Sequence, residues 1–226
     1  MKLDLERNQW LRDPALVQLM TCLNTYGQAR LVGGCVRDSL LGKDTKDIDI
    51  ATTLLPSQVK DLLPLIHASA AKRRDDHGSV LVVIDKKTFD VTTLRKDIQT
   101  TGRHAVVSYT QDWKEDAQRR DFTVNALYCD LDGTIHDPLG CGLRDLKQKK
   151  LAFIGDISQR VQEDYLRILR YFRFLAQFNW EEQPDITQAL KPFVPALKSL
   201  SKERLLEEIK KILETPQPST IIESME

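Results

Sequence analysis

The chain begins with a pattern of apolar and polar residues that predicts short helices and strands in alternation. Residues 14–26 carry apolar side chains at helical spacing and stop at Gly27, which predicts a helix ended by a glycine. The apolar run over residues 29–32 predicts a strand, and residues 36–41 return to helical spacing. These elements form a strand, glycine turn and helix in that order.

Further strand signals follow. Acidic and apolar residues alternate over 47–52, which predicts a strand with one polar face. A helix is predicted over residues 57–66. The β-rich runs 80–84 and 89–94 are separated by four polar residues, DKKT, and predict a hairpin. Residues 95–118 are polar, with weak apolar periodicity, and predict a mobile loop.

The second part of the chain has mainly helical periodicity. Residues 122–128 fit either a helix or a strand, and a turn-rich segment then marks the end of a first domain. Helices are predicted over 158–178, 185–198 and 201–213. We therefore predict an α+β fold: a mixed-sheet domain over residues 1–150, followed by an all-α domain over residues 151–226.

The composition mainly argues against certain classes of protein. Lysine plus arginine and aspartate plus glutamate both number 33, so a nucleic-acid surface would require local charge asymmetry. The four cysteines form no Cys-x-x-Cys pair, which argues against structural zinc and favours reduced thiols. No apolar run approaches the length of a membrane span or signal peptide. We expect a cytoplasmic protein without a membrane partner, or an organellar one if a targeting segment has been removed.

The candidate chemistry starts at the glycine turn. Gly33 and Gly34 lie between a strand and a helix start, where backbone N–H groups can approach a polyphosphate. Arg37, one turn into the helix, could pair with phosphate oxygens. A lone glycine pair is more often only a turn, so this signal depends on the residues that follow it.

Two carboxylates follow at a spacing that suits metal binding. Asp47 and Asp49 would project from one face of the predicted strand, and Asp90 lies on a neighbouring candidate strand. Such carboxylates can hold two Mg²⁺ ions about 4 Å apart, which serve the attacking hydroxyl and the triphosphate in phosphoryl transfer. An isolated Asp-x-Asp is usually a solvated strand face, but here the order and spacing favour a site.

The whole stretch LVGGCVRDSLLG…DIDIAT resembles the DNA polymerase β-like nucleotidyltransferase superfamily, and within it the class II tRNA nucleotidyltransferases. This group comprises CCA-adding enzymes and bacterial poly(A) polymerases. The resemblance implies a Mg²⁺-dependent enzyme that adds nucleotides to the 3′ end of tRNA from CTP and ATP. It runs from about residue 29 to about 213, whereas family members usually continue into further domains that grip the tRNA.

Two further motifs resemble parts of the same family. RRDFTVNAL resembles its ribose-reading motif, which implies that Asp121 and Asn125 bind sugar hydroxyls while Arg119 and Arg120 hold phosphates or orient Asp121. A salt-bridged helix start is the structural alternative. EDYLR resembles the base-reading motif, in which Asp164 and Arg167 would mimic a Watson–Crick edge from one helical face. A surface ion pair is the alternative there.

The predicted function is CCA addition to tRNA. The segment LRKDIQTTGRHAVVSYTQDWKEDAQRRD resembles the flexible loop of family members that add A, and Arg103 is its candidate for assisting the switch from C to A. Addition of A alone or polyadenylation is the first alternative, because the same catalytic domain would serve. A catalytically inactive RNA-binding module is the second.

Overall fold

The computed structural model describes residues 1–45, 47–71, 78–101, 104–216 and 218–225, with the backbone alone described for 97–101 and 104–107. Within those residues the strands are β1 (Ala29–Val32), β2 (Asp49–Thr52), β3 (Ser69–Ala71), β4 (Ser79–Ile84), β5 (Lys87–Thr93), β6 (Arg95–Thr101), β7 (His104–Tyr109), β8 (Tyr128–Cys129) and β9 (Ile135–His136). The helices are α1 (Pro14–Tyr26), α2 (Gly34–Leu40), α3 (Pro56–Leu62), α4 (Trp113–Gln118), α5 (Gly142–Lys147), α6 (Ile157–Glu163), α7 (Leu166–Phe178), α8 (Pro184–Leu190), α9 (Lys202–Leu213) and α10 (Pro218–Ser224). Short 3₁₀ helices cover Gln9–Arg12, Leu63–Ile66, Thr123–Asn125 and Lys191–Ser199.

Seven of these strands form one mixed sheet, in the order β3-β4-β5-β2-β1-β8-β9. The central strands β2 and β5 are parallel, and β2 is antiparallel to β1. Ile50 and Val91, paired across β2 and β5, are both buried, and a slip of one residue would turn such side chains towards water. Burial of one face therefore fixes which residues lie opposite each other across the centre of the sheet.

Chain contacts divide the protein into two compact units. The first comprises Met1–Asp97, Val107–Arg120 and Val124–Leu143, and the second comprises Ile98–Val106, Asp121–Thr123 and Arg144–Glu226. The first unit holds the seven-stranded sheet, and the second is built mainly of helices. The predicted α+β fold class is confirmed. The domain boundary at residue 150 stays a prediction.

Several local predictions agree with the structure. Helix α1 occupies the predicted range, and the carboxylate of Asp13 caps it by accepting bonds from the backbone N–H groups of Ala15 and Leu16. Helix α9 also occupies nearly its predicted range, with the hydroxyl of Ser201 as its cap. No helix in the described residues is long and apolar enough to cross a bilayer.

The structure corrects two predictions. The predicted hairpin of β4 and β5 is confirmed, but its turn has two residues, Asp85 and Lys86, in place of the four residues DKKT, because Ile84 pairs with Lys87. Residues 95–118 are not one loop: β6 and β7 pair with each other and α4 follows them. Cross-strand pairing stabilises a polar segment that lacks clear periodicity. Arg103 lies outside the described residues.

The second unit has an aromatic core around Phe122. This fully buried side chain packs against Phe153 and Phe174 with ring centroids 4.7 and 5.6 Å apart, and against Tyr171. Edge-to-face and tilted aromatic pairs add to the free energy gained from burial. Helices α7 and α9 pack against each other in the same unit.

Replacement of Phe122 by alanine should lower the free energy of unfolding by about 3–5 kcal/mol, because it leaves a cavity in this core. Urea denaturation at pH 7 measures the change. Phe193→Ala serves as the control, because Phe193 is only half-buried, and it should cost much less. Equal costs for the two variants would contradict the assignment of Phe122 to the core.

Candidate active site

The glycine turn after β1 depends on a backbone conformation that favours glycine. Gly33 has φ 74°, in the left-handed region that other residues seldom adopt, and Gly34 begins α2. The N–H of Gly33 donates to the carbonyl of Leu127 at 3.1 Å. A Cβ at Gly33 would lie 3.7 Å from Arg120 Nη1 and from the carbonyl oxygen of Asn125. The turn is thus bordered by two of the predicted site residues.

Arg37 is buried one turn into α2, where its guanidinium is held by two side chains. Its Nη1 donates to Asn125 Oδ1 at 2.5 Å, while Nε and Nη2 each donate to Asp38 at 2.9 Å. The structure therefore brings together Arg37 and Asn125, two of the predicted residues. A planar guanidinium held on two edges has a fixed orientation beside the glycine turn.

The predicted carboxylates meet at the centre of the sheet. Asp49 is the first residue of β2 and is the register partner of Asp90 on β5, so the two side chains are neighbours on one face. On its other side Asp49 pairs with Val32, the residue that precedes Gly33. Asp47 lies before the strand, so the prediction of one strand over 47–52 was wrong at its start.

The three aspartates nevertheless share one cavity. Asp47, Asp49 and Asp90 all line an open cavity of about 590 Å³. In the described part of the chain, no three acidic, histidine or cysteine side chains are grouped closely enough to hold a metal ion by themselves. The arrangement suits an ion that takes one or two protein carboxylates and completes its shell with phosphate oxygens and water.

Arg119 and Arg120 bind an aspartate that the sequence analysis did not single out. Arg119 Nε lies 2.8 Å and Arg120 Nη2 lies 3.0 Å from the carboxylate of Asp116, which is fully buried. The hydroxyl of Tyr128 donates to the same carboxylate at 2.7 Å. Burial opposes the charge of Asp116, but Arg120, Arg119 and Tyr128 outweigh it and lower the pKa to about 2.

Asp121 has a different arginine partner. Arg170 on α7 donates to Asp121 Oδ2 from Nε at 2.9 Å and from Nη2 at 2.5 Å. The other carboxylate oxygen accepts the N–H of Phe122 at 2.8 Å. Arg170, 49 positions away in sequence and in the same unit, thus orients Asp121. The prediction had given this role to Arg119 and Arg120, which bind Asp116.

The prediction that Asp164 and Arg167 lie on one helix was wrong. Helix α6 ends at Glu163 and α7 begins at Leu166, so Asp164 lies in the break with φ −156°. Its carboxylate accepts the N–H of Leu166 at 3.2 Å and pairs with Arg204 Nη2 at 2.7 Å. These bonds to the start of α7 and to α9 stabilise the break.

Arg167 is held by the end of α6. Its Nη1 lies 2.6 Å from Glu163 Oε2 and donates to the backbone carbonyl of Arg160 at 2.5 Å. Arg160 also pairs with Glu163 at 2.5 Å. A second cavity of about 390 Å³ is lined by residues on both sides of the break, among them Glu163, Asp164, Tyr165 and Arg204. Asp164 therefore borders a cavity, whereas Arg167 is held beside it by an ion-pair network.

The residues missed by sequence reasoning are the partners of the predicted ones. For Asp116 a signal was available, because Arg119 and Arg120 follow it at helical spacings of three and four. Glu163 has the same kind of spacing to its two partners, because it lies three residues after Arg160 and four before Arg167. For Arg170 and Arg204 the sequence holds no local signal, because both pairs join segments 40 or more residues apart.

Two family models match the chain. Residues 29–152 match the poly A polymerase head domain, and residues 183–226 match the probable RNA and SrmB-binding site of polymerase A. The first match contains the glycine turn and the three aspartates of the cavity. It also contains Asp116, Arg119 and Arg120.

Curated relatives align over most of this chain. The mitochondrial CCA tRNA nucleotidyltransferase 1 of Danio rerio is 42% identical over 190 residues, which is 82% of this chain and 44% of the relative. The CCA-adding enzyme of Bacillus licheniformis is 35% identical over 198 residues, which is 86% of this chain and 49% of the relative. The chain thus spans about half the length of the curated relatives it matches.

Solved structures show the same fold. The Bacillus stearothermophilus CCA-adding enzyme in complex with CTP superimposes with a TM-score of 0.82 at 34% identity, covering 92% of this chain and 50% of that one. A tRNA nucleotidyltransferase complexed with a primer tRNA and an incoming ATP analogue gives a TM-score of 0.74 at 30% identity, covering 91% of this chain and 58% of that one.

The lowered pKa of Asp116 predicts a specific dependence of stability on pH. Its folded-state pKa of about 2 lies below the value of about 3.9 expected in the unfolded chain. The folded state therefore binds fewer protons, so this stabilisation is present above about pH 4 and is lost as the pH falls towards 2. Asp116→Asn should lower the free energy of unfolding at pH 7 by about 3 kcal/mol, because it leaves the arginines without their counter-charge.

Urea denaturation between pH 2 and 7 tests this prediction. Between pH 7 and pH 2 the free energy of unfolding should fall by up to about 2.6 kcal/mol less in the variant than in the wild type, because the variant lacks the carboxylate that is protonated. Asp61→Asn, at an exposed aspartate on α3, should leave the pH profile of the wild type nearly unchanged. A pH profile of Asp116→Asn that parallels the wild type would contradict the assignment.

Proposed function

Because this chain belongs to the poly A polymerase head-domain family, we propose that it is a template-independent RNA nucleotidyltransferase that adds C, C and A to the 3′ end of tRNA. The substrates are CTP and ATP, and pyrophosphate is released. The observation that carries the proposal is the register of β2, which sets Asp49 between Asp90 on one side and the strand leading to Gly33 on the other. The choice of tRNA and CCA is supported by the relatives that align with this chain, which are a CCA tRNA nucleotidyltransferase and a CCA-adding enzyme.

The donor set of the large cavity fits Mg²⁺. Asp47, Asp49 and Asp90 offer only carboxylate oxygens, which are the hard ligands that this ion prefers to zinc. Asp47 and Asp49 would hold the metal, and Asp90 would act as a third carboxylate. When bound, Mg²⁺ would lower the pKa of the attacking hydroxyl and offset the charge that develops on the pyrophosphate.

The reaction is an in-line displacement at the α-phosphate. The 3′-hydroxyl oxygen of the RNA forms a bond to the α-phosphorus, and the bond from that phosphorus to the bridging oxygen of the β-phosphate breaks. The turn at Gly33 and Gly34 offers backbone N–H groups to the triphosphate. Arg37, fixed by Asp38 and Asn125, lies beside this turn as a positive charge. Positioning and charge thus supply most of the rate acceleration.

Nucleotide selection is assigned to residues with fixed side chains. Asp121, oriented by Arg170, and Asn125 would bind the ribose hydroxyls. Asp164 and Arg167 would read the base, with Asp164 as acceptor and Arg167 as donor. Arg119 and Arg120 have a more indirect role in this proposal, because both are bound to Asp116.

The test is nucleotide incorporation by the 226-residue chain. Three tRNA transcripts, lacking CCA, ending in C and ending in CC, are each incubated with CTP, ATP or both and resolved on a gel. CCA addition requires completion of all three transcripts with both nucleotides. Extension of the CC-ended transcript alone would indicate A-only addition, and long A tails would indicate polyadenylation. Binding of tRNA without incorporation would indicate an inactive RNA-binding module.

Replacement of Asp49 by asparagine should lower the rate of incorporation at least about a thousandfold, because the metal site loses a charged ligand. Radiolabelled CTP incorporation measures the rate, and the thermal unfolding midpoint checks the fold. Asp44→Asn, at an exposed aspartate of the preceding loop, should keep wild-type activity. Wild-type activity in Asp49→Asn would refute the metal assignment.

Replacement of Asp164 by alanine should reduce the preference for CTP over UTP by about 5- to 100-fold in kcat/KM, because a hydrogen-bond acceptor to the base is lost. Asp185→Ala, at an exposed position on α8, is the control and should leave the preference unchanged. Single-nucleotide incorporation with each nucleotide gives the two kcat/KM values. An unaltered preference in Asp164→Ala would remove this residue from base reading.

A further inference from the structure

The large cavity extends to one side of the carboxylates. Across the sheet, Val32, Asp49, Asp90 and Leu81 are successive register partners on β1, β2, β5 and β4. The glycine turn follows Val32, at one end of this row. Leu81, at the other end, lines the cavity together with the residues of β5 that precede Asp90, and Gly33 and Gly34 are absent from its described lining. The cavity therefore opens away from the glycine turn.

In-line transfer requires that the RNA 3′ end and the pyrophosphate lie on opposite sides of the α-phosphorus, which makes this side of the site the entry for the RNA. The attacking oxygen must approach the α-phosphorus from the side opposite the leaving pyrophosphate. If the triphosphate lies on the glycine turn, the RNA 3′ end has to enter beyond the carboxylates, over β5 and β4. The volume of about 590 Å³ is far more than metal ions need and is in the range of pockets that hold a small ligand.

The β4–β5 turn presents a cation to this cavity at a cost in backbone strain. Both turn residues have positive φ, 49° for Asp85 and 64° for Lys86, where a hairpin of this type usually has glycine at the second position. A lysine in the left-handed region costs about 1 kcal/mol relative to glycine. The exposed Lys86 side chain lines the cavity, so the strained residue supplies a positive charge there.

Trp10 lines the same cavity from the N-terminal 3₁₀ helix. Its indole N–H donates to the hydroxyl of Ser39 at 3.1 Å, which satisfies the polar atom of the ring and fixes the ring's orientation. The side chain is only partly buried. An aromatic ring held in this way can stack on a nucleobase of any sequence.

The remaining charges at this end of the cavity are balanced. Asp13, also in the lining, would repel a phosphate if its charge were unopposed. The ammonium group of Lys87 is hydrogen-bonded to Asp13, and this contact lowers the pKa of the carboxyl. Asp13 also caps α1, so its position is fixed. Lys86 therefore adds a positive charge next to an ion pair that is already neutral.

We propose that Trp10, Lys86 and Lys87, which we name the primer ledge, receive the 3′-terminal part of the RNA primer, with Trp10 and Lys86 making the contacts. Trp10 stacks on a base near the 3′ end, and Lys86 contacts a phosphate of the same strand, while Lys87 holds Asp13. The primer ledge rests on the proposed function, because it assumes nucleotide transfer at the neighbouring carboxylates. It assigns the triphosphate to the side of Asp49 and Asp90 that carries the glycine turn, and the RNA to the side on which β5 and β4 line the cavity.

Lys86→Gly provides a test in which stability and function change in opposite directions. Glycine relieves the strain of the turn, so the thermal unfolding midpoint should stay equal or rise. The KM for a tRNA transcript lacking CCA should increase about fivefold. The slope of log KM for this RNA against log salt concentration should decrease by about 0.7, because one phosphate contact is lost. The KM for CTP and the kcat at saturating RNA should not change.

Lys149→Gly is the matched control. Lys149 is also an exposed lysine with positive φ, 55°, but it does not line the cavity. This variant should keep the wild-type KM for RNA and the wild-type salt dependence. A similar increase in both lysine variants would mean a general effect of net charge and would overturn the primer ledge.

Trp10 is tested with a pair of variants. Trp10→Leu keeps an apolar side chain but cannot stack, so the KM for the RNA should rise at least about fivefold. Trp10→Phe restores a flat ring and should recover most of the affinity. An unchanged RNA KM in Lys86→Gly and Trp10→Leu, or a raised KM for CTP instead, would overturn the primer ledge. A wild-type chain that incorporates no nucleotide onto any transcript would instead refute the proposed function.

Discussion

The parallel pairing of β2 with β5 is the constraint on which the candidate site depends. It sets the carboxylates of Asp49 and Asp90 side by side, and such like charges repel each other. The buried residues that alternate with them, Ile50 and Val91, hold the register because any slip would expose them. The free energy of core burial thus maintains an acidic pair that a bound cation would stabilise further.

A second principle recurs in the two units: three aspartates at or near predicted reading positions each have an arginine partner. Asp116 is bound by Arg119 and Arg120, Asp121 by Arg170, and Asp164 by Arg204. Since a guanidinium presents several donors in one plane, it fixes the orientation of a carboxylate as well as its charge. These pairs hold the polar side chains in place before any substrate is bound.

The backbone carries corresponding restraints at two positions. Gly33 needs the left-handed region so that the chain can turn from β1 into α2. Lys86 occupies the same region without the freedom of glycine, in the β4–β5 turn beyond the pair of Ile84 with Lys87. Strain of this kind persists where the surrounding sheet determines the geometry, as the pairing of Ile84 with Lys87 does here. The primer ledge is our explanation of why a lysine is kept there.

The sequence alone determined the elements whose signal is local. The limits of α1, the turn at Gly33 and the candidate carboxylates follow from periodicity, from glycine, and from residue types at fixed spacing. Tertiary structure decided which side chains meet. It paired β6 with β7 in a segment without periodicity, separated α6 from α7 at Asp164, and joined Asp121 to Arg170 across 49 residues. Such contacts depend on packing between distant segments, and a local pattern holds no information about them.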